Sequence, residues 1–194
     1  MNEIHVQGNL QNSIILLAAD QRITLKDKFH SNRKKLFLIP YLNAGVGYFG
    51  LAQPNRTEFF SSWLPNFIRN NADAKTLEEL ARRLCHKLNQ SVNKSILAKA
   101  PSGFHVCGYN VQNYPELWFV RNINRMEGNS YKDIGSEYIV SEDFLSRDAH
   151  NMGFDGSNPV VSDAFIQYYV NGDVRPFHSI WRQLDGFIAT MLSE

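Results

Sequence analysis

Cysteine is scarce in this chain of 194 residues: Cys85 and Cys107 are the only two. Two thiols do not make a disulfide framework, so a cross-linked secreted scaffold is excluded, and reduced thiols in a cytoplasmic protein are the expected state. Charge of one sign is lacking as well. Twenty Lys and Arg offset nineteen Asp and Glu, a net of +1, so there is no basic footprint and no nucleic-acid partner is expected. The densest basic run, Arg33-Lys34-Lys35, reads as a solvated turn. No apolar run nears the roughly 20 residues that span a bilayer. The opening MNEIHVQGN lacks the basic-then-apolar pattern of a signal peptide, so the expected location is cytoplasmic, away from membranes. The histidines, His5, His30, His86, His105, His150 and His178, show no metal-ligand spacing, so no metal is expected. Gly45, Gly47 and Gly50 lead into neither a Lys-Ser/Thr pair nor a GxGxxG pattern, so no phosphate loop and no cofactor are implied.

An apolar content of 43% with 20% charged residues is ordinary for a globular protein, and the length suits one domain over residues 1–194. Ile4, Val6 and Gly8 alternate with His5 and Gln7 as a short strand, and the apolar run Ile14 to Ala19 returns as its partner. A polar linker follows. Lys35 to Ile39 and Ala44 to Phe49 form a second hairpin, turned at Pro40 to Asn43. Thr57 to Asn70 has aromatic residues at helical spacing, with Pro65 predicting a kink or a split. Its stripe of Phe59, Phe60, Trp63 and Phe67 suits a core and would also suit a subunit interface. Thr76 to Glu79 is a capping-box pattern that starts a helix to about Lys94, and the two helices would cover one face of a sheet. Phe104 to Val111 and Glu116 to Val120 read as a third hairpin, with Ser130 to Ile134 as one more strand. Three helices are predicted in the last third, at Glu137 to Asp148, Val160 to Val170 and Pro176 to Leu192.

The pattern Ala19-Asp20-x-Arg22-x-Thr24, then Lys34-Lys35-Leu36-Phe37, then Gly47-x-x-Gly50-x-Ala52-Gln53 resembles the first half of a proteasome β-type subunit, a family of N-terminal-nucleophile hydrolases. Gly108-Tyr109-Asn110 with Pro115 and Leu117-x-Phe119 resembles the family's central hairpin. The resemblance implies an α+β fold, a four-layer αββα sandwich with a divergent helical C-terminal third. It also implies assembly of copies into a ring or dimer, around peptide or protein substrates.

In that family an N-terminal Thr attacks, and its own α-amine accepts the hydroxyl proton. A Lys tunes the amine, an Asp orients the Lys, and a glycine N–H forms the oxyanion hole. By resemblance Asp20 matches the Asp, Lys35 the Lys (with Lys34 the neighbouring alternative), Gly47 the oxyanion glycine and Arg22 a structural arginine. Ser136, after Gly135, matches a serine near the nucleophile. The family's second aspartate has no clear counterpart, Asp155-Gly156-Ser157 being a poor substitute. Counting back from Asp20, with Gly8 on a family glycine, puts Ile4 at the nucleophile. An Ile side chain has no proton to give and no lone pair to attack with, and no Thr, Ser or Cys precedes Ser13.

The expected function is therefore that of a proteasome β-like pseudoenzyme, a structural or binding homologue forming a homo-oligomer. The alternative is an active threonine-type peptidase or amidohydrolase with a different true N-terminus. A third reading uses Cys107 or Ser136 as nucleophile on the same fold. Cys85, beside His86, reads as a small buried residue of an amphipathic helix.

Overall fold

A computed structural model of the chain describes residues 3–7, 14–25, 28–112, 115–127, 130–144 and 166–167. It is a mixed α+β protein in which every strand pairing is antiparallel. Strands β1 (Glu3–Gln7) and β2 (Ile14–Ala18) form the first expected hairpin, with Ile4 opposite Leu17. The polar linker after it is itself a hairpin: among the described strands, β3 (Arg22–Leu25) and β4 (Lys28–Asn32) pair only with each other. The sequence pattern hides it because almost every side chain of β4 faces water, which erases the alternation that marks a half-buried strand.

The main sheet has five strands in the order β5-β6-β7-β8-β9. Its members are β5 (Leu36–Ile39), β6 (Ala44–Phe49), β7 (Gly103–Tyr109), β8 (Pro115–Glu127) and β9 (Ser130–Phe144). A 3-10 turn, Pro40–Leu42, with Asn43 in the left-handed region (φ 46°) joins β5 to β6. Gly50 ends β6 at φ 80°, where a Cβ would stand 1.9 Å from the Pro101 carbonyl oxygen, so only glycine fits.

Helices α1 (Phe60–Asn70), α2 (Leu77–Ser91) and the short α3 (Lys94–Leu97) lie between β6 and β7 in the chain. Phe60, Leu64, Leu80, Leu84 and Leu88 of the first two bury completely against Tyr48, Phe104, Val106 and Val120 of the sheet. This apolar seam keeps α1 continuous through Pro65, where a kink or a split was expected, so the helix is not split. Phe60, Trp63 and Phe67 of the aromatic stripe are core, while Phe59 is half-buried: Phe60 meets Phe104 edge-on at 5.0 Å, and Trp63 stacks on Phe67 at 5.4 Å. Thr76 caps α2 as expected, its hydroxyl oxygen accepting from the Glu79 N–H at 3.1 Å.

Two of the helices expected in the last third are corrected. Residues 137–144 extend β9, where Tyr138 is buried while Glu137 and Ile139 are exposed, a period of two that serves pairing with β8. Ile166 and Gln167 form β10, which adds to β1 opposite His5 and Ile4. The third, Pro176 to Leu192, lies outside the described residues, as do the remainders of the first two. No described helix is long and apolar enough to cross a membrane.

Candidate functional site

Asp20 and Lys35 are 15 positions apart in sequence, and the β3–β4 hairpin closes that distance. Arg22 pairs with Asn32, and below them the Arg33 N–H donates to the Gln21 carbonyl at 2.6 Å. The hairpin is thus zipped to its base, and the residues flanking the base meet. The Lys35 ammonium donates to Asp20 Oδ1. The Lys35 side chain is 10% exposed and that of Asp20 41%, so the pair is half sheltered. Lys34 takes a different course: it is exposed, with its ammonium 5.3 Å from the centre of the Phe37 ring. The structure therefore selects Lys35 as the partner of Asp20.

Gly47 comes to the same place. It lies opposite Leu36 on β5 and His105 on β7, and the next N–H along, of Tyr48, donates to the Lys35 carbonyl at 3.2 Å. Ile4 stands on β1 opposite Leu17, three residues before Asp20. Ser136 is not part of this cluster. It is exposed on β9, the far edge of the sheet from β5, four strand spacings or about 19 Å away.

A groove of about 550 Å³ opens between β2 and the face of the main sheet opposite the helices, with Lys34, and neither Asp20 nor Lys35, lining it. Ile15, Leu17, Leu36, Leu38, Cys107 and Tyr109 are among its walls. The Ile15 N–H donates to the Tyr109 hydroxyl at 3.1 Å, and a Cβ on Gly45 would sit 3.7 Å from Leu17, so β2 rests closely on β6 and β7.

The thiols are poor nucleophiles. Burial pushes Cys107 up to about 12, and burial also raises Cys85, whose thiol donates to the Tyr138 carbonyl at 3.3 Å. His86 is exposed and contacts Gln90 at 2.8 Å, one turn along the helix, so it forms no dyad with Cys85. Among the described residues no three of His, Cys, Asp and Glu gather as metal ligands.

The ion pair makes an asymmetric prediction. Asp20→Ala leaves a nearly buried ammonium unpaired and is expected to lower stability by about 1–3 kcal/mol, less than for a fully buried pair because Asp20 is partly in water. Lys35→Met keeps the apolar stem, removes the charge and is expected to cost less. Urea unfolding of both variants checks this, and a larger loss for Lys35→Met would refute it.

Sequence reasoning missed the hairpin that brings the pair together. Its one available signal was Arg22-Ile-Thr-Leu followed by Phe29-His-Ser across a three-residue Lys-Asp-Lys break. No protein-family model matches the chain, and none of the curated proteins does.

Proposed function

We propose that the chain is a proteasome β-like protein without peptidase activity, a structural or binding homologue that forms an oligomer. One observation carries the reading: a sheltered Lys35 salt-bridged to Asp20, next along the chain to Leu36, which lies opposite Gly47. By the resemblance, Ile4 falls where the family has Thr. The Lys, Asp and glycine are the supporting parts of an N-terminal-nucleophile site. Without a hydroxyl there is no group for them to activate.

The four-layer αββα arrangement belongs to the same proposal. It is supported by α1 and α2 covering one face of the main sheet while β2 rests on the other, and by β10 joining β1. The cavity beside Lys34 has the apolar walls and the size of a site for a peptide side chain.

The test is intact mass of the purified protein, with and without an epoxyketone or a fluorophosphonate, alongside N-terminal sequencing. No adduct is expected. A single adduct on a processed N-terminal Thr, Ser or Cys would overturn the reading in favour of an active peptidase. An adduct lost in Ser136→Ala or Cys107→Ala would overturn it in favour of a different nucleophile on this fold.

A further inference from the structure

A second groove, of about 400 Å³, runs between α1 and α2. It is lined by residues of these two helices, by Asn71 at the end of α1 and by Glu58 just ahead of it. No residue of the main sheet lines it, nor does Asp20 or Lys35. Trp63 and Phe67, stacked with 7° between their rings, supply its apolar part. Its size and its mixture of an aromatic floor with a few polar groups are those of a ligand site.

The polar groups fall into two sets. One is already engaged. Arg83 is held by Asp73 at 2.7 Å and Glu79 at 2.6 Å, the Asn71 amide donates to the Phe67 carbonyl at 2.8 Å, and His86 contacts Gln90. The other set is open: the side chains of Asn66, Asn70, Lys87 and Glu58 make no hydrogen bond or ion pair with any described residue. Asn66, Asn70 and Lys87 are exposed and Glu58 is half-buried.

The spacing of the open amides indicates what they fit. Asn66 and Asn70 are four residues apart on α1, a rise of about 6 Å. Two residues of an extended chain advance about 6.7 Å. An asparagine amide carries a donor and an acceptor side by side, as a peptide group does, so two amides at this spacing match alternate residues of an extended main chain. Across the groove on α2, the Lys87 ammonium is a cation awaiting an anion. Glu58 is the only acid in the lining, so a second acid towards its end would be repelled.

We infer that the groove between α1 and α2 takes an extended peptide segment of a partner protein, Asn66 and Asn70 holding its main chain, Lys87 an acidic side chain, and the Trp63–Phe67 stack an apolar neighbour. None of these residues belongs to the Asp20–Lys35 site, so the peptide is bound whether or not that site derives from a hydrolase.

Proton–nitrogen correlation NMR of the full chain tests it. The probe is a mixture of blocked pentapeptides with Asp fixed at the centre and apolar residues varied on either side. The side-chain amide signals of Asn66 and Asn70 are expected to shift on titration. Asn66→Ala with Asn70→Ala is expected to weaken binding about tenfold, the scale of one or two lost hydrogen bonds. Lys87→Glu is expected to reverse the preference, so that a mixture with Lys at the centre binds better. All three side chains are exposed, so the thermal unfolding midpoints are expected to stay at the wild-type value. No shift at millimolar peptide would overturn the site, as would equal binding by the variants. Undiminished binding of peptides N-methylated on the main chain would overturn main-chain recognition and leave a small anion as the ligand of Lys87.

Discussion

Asn122→Ala is expected to lower the stability of this protein by about 3–5 kcal/mol, since each buried polar group left unpaired costs about 1–3 kcal/mol. Asn122 is fully buried in β8 and serves three segments at once. Its Oδ1 accepts from the Ser102 N–H at 2.7 Å. Its Nδ2 donates to the carbonyls of Leu97 at 2.8 Å, Ala100 at 2.9 Å and Gly135 at 3.2 Å. One amide thus ties the end of α3, the entry to β7 and the middle of β9 together. Ser102 carries the network on, its hydroxyl 2.8 Å from that of Tyr138. Truncation strands the buried Ser102 N–H and Leu97 carbonyl, and leaves the half-buried Ala100 and Gly135 carbonyls without this partner. Asn122→Asp is expected to do no better, because it keeps the acceptor, loses the donors and buries a charge. Urea unfolding followed by far-ultraviolet circular dichroism is the measurement. A loss below about 1 kcal/mol would mean that the network contributes little to stability.

The second large effect is a dependence on pH. His105 lies on β7 with its ring stacked on Phe119 at 4.3 Å and near Phe49 at 5.9 Å. Burial, and then the nearby Arg121 guanidinium, push its pKa down to about 3, against 6.5 for an exposed histidine. The folded pKa is the lower of the two, so between these values the unfolded chain binds the extra proton. The stability associated with neutral His105 is therefore complete above about pH 6.5 and is lost as pH falls towards 3. The slope is about 1.4 kcal/mol per pH unit, or roughly 3 kcal/mol by pH 4. His105→Phe keeps an aromatic ring in the stack and removes the titration. Urea midpoints from neutral pH downward are expected to fall more steeply for the wild type than for this variant. Equal slopes would show that His105 does not carry the effect. Carboxylates contribute to both proteins and cancel in the comparison.

Much of the scaffold was legible in the residues because it is built from local signals. The hairpins β1–β2, β5–β6 and β7–β8 follow from short apolar runs bounded by turn residues. The capped start of α2 follows from Thr76 and Glu79, and its buried face from Leu77, Leu80, Leu84 and Leu88. The last third misled for a physical reason. Around Tyr138 the residues have spacings that a helix and a strand both accept, and the decision came from pairing with β8.

The candidate site divides in the same way. The expectation that Asp20, Lys35 and Gly47 are supporting parts of a hydrolase site came from the resemblance alone, whereas residue chemistry by itself determined that Ile4 has no atom able to attack. Only the tertiary structure decided that Lys35, and not Lys34, takes the carboxylate of Asp20. It also decided that Gly47 joins them and that Ser136 stands at the opposite edge of the sheet. These outcomes depend on which strands become neighbours, and on a solvent-facing hairpin whose pairing leaves almost no trace in the hydrophobic pattern.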